Sequence, residues 1–118
     1  MIKFKSLNEN KEFLEIFKNK KLNTKYFTIY FKKNLNEINK KYLNISFVMK
    51  KKVGNSVIRN KIKRKLKAAV QKILNEKRSI DLNYTYIVIG KNSAYKDKFS
   101  AIFNEVNNVF RTIKKIEN

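Results

Sequence analysis

The chain has 118 residues and a formal net charge of +20 at pH 7, because 29 residues are Lys or Arg and only nine are Asp or Glu. It contains no His and no Cys, which excludes histidine- and cysteine-dependent catalysis, the usual zinc sites and disulfides, and is typical of the reducing cytoplasm. With 42% hydrophobic residues, residues 1–118 are expected to form one domain around a single core, and the charge predicts a polyanionic partner.

The first predicted element is a helix that ends near Asn19. Ser6 and Glu9 have the spacing of a capping box, which satisfies free N–H groups at a helix start. Phe13 and Phe17 stand at positions i and i+4 and therefore project from one helix face. On spacing alone, two core residues are the favoured interpretation of this pair. The N-terminal part has no long apolar run, so neither a signal peptide nor a membrane span is expected.

Two strands are predicted next along the chain. Residues 26–32 are β-branched and aromatic, and their alternation places Tyr30 on the face opposite Phe27. On spacing alone, Tyr30 is equally well explained as a tyrosine that covers the sheet and keeps its hydroxyl in water. A polar connector at 34–41 precedes the second strand, which is predicted at 43–49.

Residues 50–72 carry ten of the 29 basic residues and no acidic one. Gly54 permits a tight turn, and Asn55 or Ser56 can cap a following helix. Apolar residues recur there at spacings of three and four, which predicts one packed face: Ile58, Ile62, Leu66, Ala69, Val70 and Ile73. The opposite face is polar and basic: Asn60, Lys63, Arg64, Lys67 and Gln71. Ordinary surface helices mix both charge signs, so a binding face is favoured over a merely solvated one.

The C-terminal part predicts a third strand at 84–90 and a closing amphipathic helix. The helix is indicated by apolar residues at spacings of three and four: Phe99, Ile102, Phe103, Val106, Val109, Phe110 and Ile113. The chain has no Pro and only two Gly, and no repeat or low-complexity linker marks a domain boundary.

The block KKVGNSVIRNKIKR at 51–64 resembles the signature of the bacterial ribonuclease P protein subunit, K-K-x-G-x-A-V-x-R-N-R-x-K-R. It departs from that pattern at Ser56, where Ala is usual, and at Lys61, where Arg is usual. Lys67 also stands where Arg is common. Lys keeps the positive charge but lacks the planar fork of donors with which Arg binds phosphate.

The resemblance implies an α+β fold in the order α-β-β-(β)-α-β-α. In that fold a central mixed sheet packs against helices, and the βαβ crossover is left-handed, as in domain 2 of ribosomal protein S5. It also implies a protein subunit of ribonuclease P, the ribonucleoprotein endonuclease that removes the 5′ leader of precursor tRNA. The RNA subunit would be the catalyst, the protein would contain no catalytic residue, and Mg²⁺ would be held mainly by the RNA and the substrate. No membrane and no protein partner would be required.

Two sets of site residues follow from the resemblance. The candidate contacts with the catalytic RNA are Lys51, Lys52, Arg59, Asn60, Lys61, Lys63, Arg64 and Lys67. The candidate contacts with the leader of precursor tRNA are Phe13, Phe17 and Tyr30, whose flat rings would stack on unpaired bases.

Two other classes of protein are alternatives. A structural RNA-binding protein, such as a ribosomal protein, shares the size, charge and lack of catalytic residues. A stand-alone nuclease would need Lys or Glu12 as acid–base groups, and the scattered acidic residues do not suggest a two-metal site.

Overall fold

In a computed structural model of the chain, residues 2–34, 41–76 and 80–116 are described. The strands of this part are β1 (Lys3–Lys5), β2 (Lys20–Asn23), β3 (Phe27–Lys33), β4 (Tyr42–Val48) and β5 (Tyr84–Gly90). Its helices are α1 (Asn10–Phe17), α2 (Ser56–Glu76) and α3 (Phe99–Ile116), and short 3₁₀ turns occupy Lys51–Val53 and Asn92–Ala94. None of these helices has the length and hydropathy that a membrane crossing requires.

The strands form one mixed sheet in the order β1-β4-β5-β3-β2. β4 is parallel to β1 and to β5, whereas β3 is antiparallel to β5 and to β2. The connection from β4 through α2 to β5 is therefore a parallel βαβ crossover. This architecture confirms the predicted α+β class with a central mixed sheet packed with helices.

The two faces of the sheet bear different layers. Alternate residues of β3 are buried in the main core, in register with alternate residues of β5: Phe27, Ile29 and Phe31 with Gly90, Val88 and Tyr86. The same core contains the apolar faces of α2 and α3. Tyr30 and Lys32 point the other way and contact α1, where Lys32 Nζ lies 3.1 Å from Glu15 Oε2. The sheet thus separates α1 from the two long helices.

The predicted start of the first helix was wrong. α1 begins at Asn10, with Glu9 at the N-cap position and no capping bond from its side chain. The chain around Ser6 instead runs along the sheet edge, where the Leu7 N–H donates to Ser46 Oγ at 2.9 Å. A contact between residues so distant in sequence competes with the local capping box. The helix also ends at Phe17 rather than near Asn19, since β2 begins at Lys20.

The strand predictions at 26–32, 43–49 and 84–90 are confirmed within one residue at either end by β3, β4 and β5. The optional extra strand was placed between β4 and α2, where the structure has the 3₁₀ turn Lys51–Val53. The additional strands are β1 and β2, which lie at the two edges of the sheet. Most of the predicted connector, residues 35–40, lies outside the described residues.

Candidate nucleic-acid interface

The entrance to α2 is fixed by three neighbouring residues. Gly54 has φ 156°, and a Cβ there would come within 2.9 Å of the Ile58 side chain, so glycine is needed at this turn. Asn55 Oδ1 accepts the N–H of Ile58 at 3.0 Å, so Asn55, and not Ser56, is the capping residue of the two that were predicted. The preceding turn is held by Asn92, whose Nδ2 donates to the Val53 carbonyl at 2.7 Å.

The predicted packed face of α2 is confirmed, apart from Ile58, which is only half-buried. The buried residues are Ile62, Leu66, Ala69, Val70, Ile73 and, in addition, Leu74. This packing directs the remaining positions of the helix outward. Burial of one stripe therefore sets the direction in which the basic side chains point.

The eight candidate RNA contacts lie on two consecutive elements, the 3₁₀ turn and α2, and we call this set of residues the basic face. Its members are Lys51 and Lys52 of the 3₁₀ turn, together with Arg59, Asn60, Lys61, Lys63, Arg64 and Lys67 of α2. Arg59 and Lys63 are half-buried, and the others are exposed. In the described ranges the ion pairs lie elsewhere and join Lys11 to Glu9, Lys25 to Asp97 and Lys32 to Glu15. The cations of the basic face are therefore not neutralised by described carboxylates.

A groove runs between α2 and the end of β4, and we call it the helix groove. Its volume is about 510 Å³, and Phe47, Met49, Arg59, Asn60 and Lys63 contribute to its wall. Arg59 Nε is buried and has no hydrogen-bond partner among the described residues. A buried donor without a partner is unfavourable. An acceptor such as a phosphate oxygen that reached it would stabilise the site.

The three candidate leader contacts also come together, and we call them the aromatic cluster. The ring centroids of Phe13 and Phe17 are 6.3 Å apart, and those of Phe17 and Tyr30 are 4.9 Å apart at an interplanar angle of 82°. Phe17 is 38% exposed, while Phe13 and Tyr30 are half-buried. The interpretation of Phe13 and Phe17 as two core residues therefore fails for Phe17.

Lys21 is a neighbour of this cluster that the sequence analysis missed. Its Nζ lies 5.9 Å from the centroid of the Tyr30 ring, because β2 pairs Lys21 directly with Tyr30. A cation beside stacked rings suits a ligand that carries both bases and phosphates. The sequence did not predict the pairing of β2 with β3. That pairing would have identified Lys21 as a neighbour of Tyr30.

Lys65 is a second residue that sequence reasoning did not single out. Its Nζ donates to the carbonyls of Ala94, Tyr95 and Asp97 at 3.2, 2.7 and 3.0 Å. Partial burial, and then the charge of Lys61, lower the pKa of Lys65 below its ordinary value. This lysine therefore ties α2 to the segment after β5 rather than adding to the basic face.

Residues 91–97, which we call the anchored loop, are held from a second side by the turn between β2 and β3. The Lys91 N–H donates to the Tyr26 carbonyl at 2.9 Å, and the Tyr26 hydroxyl donates to Asp97 Oδ2 at 2.6 Å. Hydrogen bonds from Tyr26 and then Lys25 hold the pKa of the Asp97 carboxyl below its ordinary value. The loop places the Tyr95 ring against α2, with Lys61 Nζ 4.9 Å from its centroid.

No group of three or more His, Cys, Asp or Glu side chains that could hold a metal ion occurs within the described ranges. The side chains gathered on the basic face and in the aromatic cluster are cations, an amide and flat rings. Such groups bind phosphate and stack on bases.

Comparison with known proteins gives one consistent family. The family model described as Ribonuclease P matches residues 1–114. The ribonuclease P protein component of Carboxydothermus hydrogenoformans is 30% identical over 116 residues, which cover 98% of this chain and 96% of that protein.

Solved structures give the same result. A mutant of the Staphylococcus aureus RNase P protein has a TM-score of 0.75 at 28% identity, over 92% of this chain and 87% of that chain. The RNase P protein from Thermotoga maritima has a TM-score of 0.73 at 26% identity, over 92% of this chain and 96% of that chain. The similarity thus extends over nearly the whole chain, and the family match at residues 1–114 includes the elements that carry the basic face and the aromatic cluster.

Proposed function

The chain belongs to the ribonuclease P protein family, and from this we propose that it is the protein subunit of an endonuclease that removes the 5′ leader of precursor tRNA. The observation that carries the proposal is the presence of two different RNA-compatible surfaces on one small domain. One surface, the basic face, has the chemistry for phosphates, and the other, the aromatic cluster, has the chemistry for unpaired bases.

The basic face would bind the catalytic RNA. Most of its cations lie on α2, and they form no ion pairs with described carboxylates. Neutralising phosphates releases counter-ions, so this contact supplies affinity that falls with salt concentration. Arg59 and Arg64 would provide the geometrically selective contacts, and the lysines would mainly provide charge.

The aromatic cluster would hold the leader. Phe17 and Tyr30 meet edge to face, so the cluster offers rings in more than one plane to successive unpaired bases. Stacking accepts any base, because every base has a flat π surface. This property suits leaders of varied sequence, and the nearby Lys21 would neutralise a leader phosphate.

The chemistry would be carried out by the RNA subunit, with no catalytic residue in the protein. Mg²⁺ would lie mainly on phosphates of the RNA and the substrate, where it can keep much of its water. The catalytic RNA and precursor tRNA are two polyanions that repel each other, so their association requires screening of charge. The protein would assist by supplying part of that screening. Its place of action would be the cytoplasm.

The decisive experiment is cleavage of precursor tRNA by the organism's catalytic RNA at low Mg²⁺, with and without the protein. Substrates with and without a 5′ leader are compared. We expect the protein to restore cleavage, and to do so more strongly when the leader is present. Absence of rescue despite measurable RNA binding would overturn the proposal in favour of a structural RNA-binding protein.

Two controls sharpen this experiment. Phe17→Ala is expected to reduce the advantage of the leader-bearing substrate about tenfold, as for the loss of one stacked base. Phe99→Ala is the matched control, because Phe99 is 36% exposed and Phe17 is 38% exposed. Protein freed of RNA with micrococcal nuclease is assayed alone, since residual cleavage would support a stand-alone nuclease.

A further inference from the structure

The outer edge of β4 is only partly covered in the described structure. β1 pairs with Tyr42, Leu43 and Asn44, so among the described residues the rest of β4 has no strand neighbour on that side. The Leu7 N–H bonds Ser46 Oγ, which holds the following chain across the gap without adding a strand to the sheet. A space of about 220 Å³ lies along this edge, and we call it the edge cavity.

Three phenylalanines line the edge cavity: Phe4, Phe47 and Phe13 of the aromatic cluster. Phe4 and Phe47 lie beside each other on the sheet side. The centroids of Phe4 and Phe47 are 6.0 Å apart, and both rings are half-buried. Each therefore keeps surface on the cavity side while its remainder packs against the core. The cavity is smaller than the ~300–1,000 Å³ typical of sites for drug-sized ligands. Its size suits one planar ring system.

Two cations of α2 form the polar wall. Lys63 and Lys67 both line the edge cavity, and Lys67 Nζ lies 5.9 Å from the centroid of the Phe47 ring. Phe47 and Lys63 also line the helix groove. The edge cavity is thus continuous with the basic face, at the level of the strand that supports it.

We propose that the edge cavity binds a single unpaired nucleotide of the catalytic RNA, with its base against Phe47 and Phe4 and its phosphate on Lys63 and Lys67. An aromatic wall beside lysines matches the two parts of a nucleotide, whereas an apolar peptide side chain would leave the cations without a partner. This inference rests on the proposed function. Phe13 of the aromatic cluster also lines the cavity, but the two lysines that would hold the phosphate both belong to the basic face. We therefore assign the nucleotide to the catalytic RNA, because an RNA strand bound along α2 reaches the cavity directly.

A matched pair of phenylalanines elsewhere in the chain provides the control. Phe103 on α3 is also half-buried, its centroid lies 6.3 Å from that of Phe99, and Lys72 Nζ lies 4.8 Å from its ring. Phe103 therefore has the same kinds of neighbour as Phe47. It differs because it lies outside both the edge cavity and the helix groove.

The first test uses fluorescence. The chain has no tryptophan, so Phe47→Trp and Phe103→Trp each introduce a single reporter. Titration with the catalytic RNA transcript, without precursor tRNA, is expected to quench Trp fluorescence in the first variant and leave it nearly unchanged in the second. Equal responses of the two reporters would overturn the inference.

The second test removes the flat ring and keeps apolar volume. Phe47→Leu is expected to weaken binding of the catalytic RNA about tenfold, and Phe103→Leu to change it less than about twofold. Thermal unfolding of both variants establishes that they are folded, and Phe47→Trp, which keeps a flat ring, is expected to bind like the unaltered chain.

Three results would overturn the assignment in distinguishable ways. If Phe47→Leu binds normally while the unaltered protein still supports cleavage, the edge cavity is not a nucleotide site and the proposed function stands. If only a leader-bearing precursor quenches the reporter at position 47, the nucleotide comes from the substrate. If the unaltered protein binds no catalytic RNA, the proposed function fails first.

Discussion

The basic face and the anchored loop are both rich in cations, but their cations have different partners. On the basic face, exposed side chains such as Arg64 and Lys67 have no described carboxylate nearby to neutralise them. Around the anchored loop, Lys25 pairs with Asp97 and Lys65 is held by three carbonyls. The comparison teaches that charge density alone does not identify a binding surface. A cation that already pairs with a carboxylate or donates to carbonyls within the fold attracts RNA phosphates only weakly.

The largest expected effect tests the comparison directly. Simultaneous Lys63→Ala, Arg64→Ala and Lys67→Ala should weaken binding of the catalytic RNA about 1,000-fold, if each charged contact contributes about tenfold. The plot of log affinity against log salt should flatten by about two to three units of slope. Binding titrations at several salt concentrations measure both quantities.

The matched control removes the same charge from elsewhere on the surface. Lys96, Lys98 and Lys115 are exposed and lie outside the basic face. Their combined change to Ala should weaken binding of the catalytic RNA only slightly, through the lower net charge. Equal losses in the two triple variants would mean that net charge, rather than the basic face, determines binding.

The second prediction concerns the turn that directs the basic face. Gly54→Ala should lower the free energy of unfolding by about 1–3 kcal/mol, because a side chain at that φ is strained and its Cβ would meet Ile58 at 2.9–3.1 Å. Denaturant unfolding measures the loss. Asn55→Ala, which removes only the cap, should cost about 1 kcal/mol. An unchanged unfolding free energy in Gly54→Ala would show that the turn is not fixed as described.

The third prediction separates two neighbours on α2. Lys65→Met should lower the free energy of unfolding by about 1–2 kcal/mol, because the Nζ bonds to Ala94, Tyr95 and Asp97 are lost. At equal concentration of folded protein, its affinity for RNA should stay within about threefold of the unaltered chain. Arg64→Ala should show the opposite pattern, with weaker binding and nearly normal stability. A large loss of affinity in folded Lys65→Met would place Lys65 on the basic face.

The same contrast explains what the sequence could and could not predict. The packed stripe of α2, the cap of α2 at Asn55 or Ser56 and the alternation of β3 are local patterns. The structure confirms them, with Asn55 as the cap and Ile58 only half-buried. β1 and β2 are short edge strands, and each has a single apolar residue among Lys or Asn residues. One apolar residue cannot show the alternation that identifies a strand. The role of Lys65 depends on carbonyls about 30 positions away in the chain. Such a contact leaves no local pattern.

The smallest expected effect is the pH dependence of the anchored loop, tested with Asp97→Asn. The pKa of Asp97 is lowered in the folded state, so its contribution to stability is present above its ordinary pKa of 3.8 and is lost as the pH falls through the lowered value. The pKa values of Lys25 and Tyr26 are raised by their contacts with Asp97. Their contributions are therefore present below their ordinary values and disappear as the pH rises through the raised ones.

The difference in unfolding free energy between the unaltered chain and Asp97→Asn should consequently be largest between about pH 5 and 9 and shrink at both extremes. Urea unfolding across this range measures it, with Glu9→Gln as a control, because the Glu9–Lys11 pair joins exposed side chains close in sequence and should contribute little. A difference that stays constant with pH would show that Asp97 acts through the shape of its side chain and not through its charge. The loop would then be held by its backbone contacts with Tyr26 and Lys65, and the contrast with the basic face would rest on Lys65 alone.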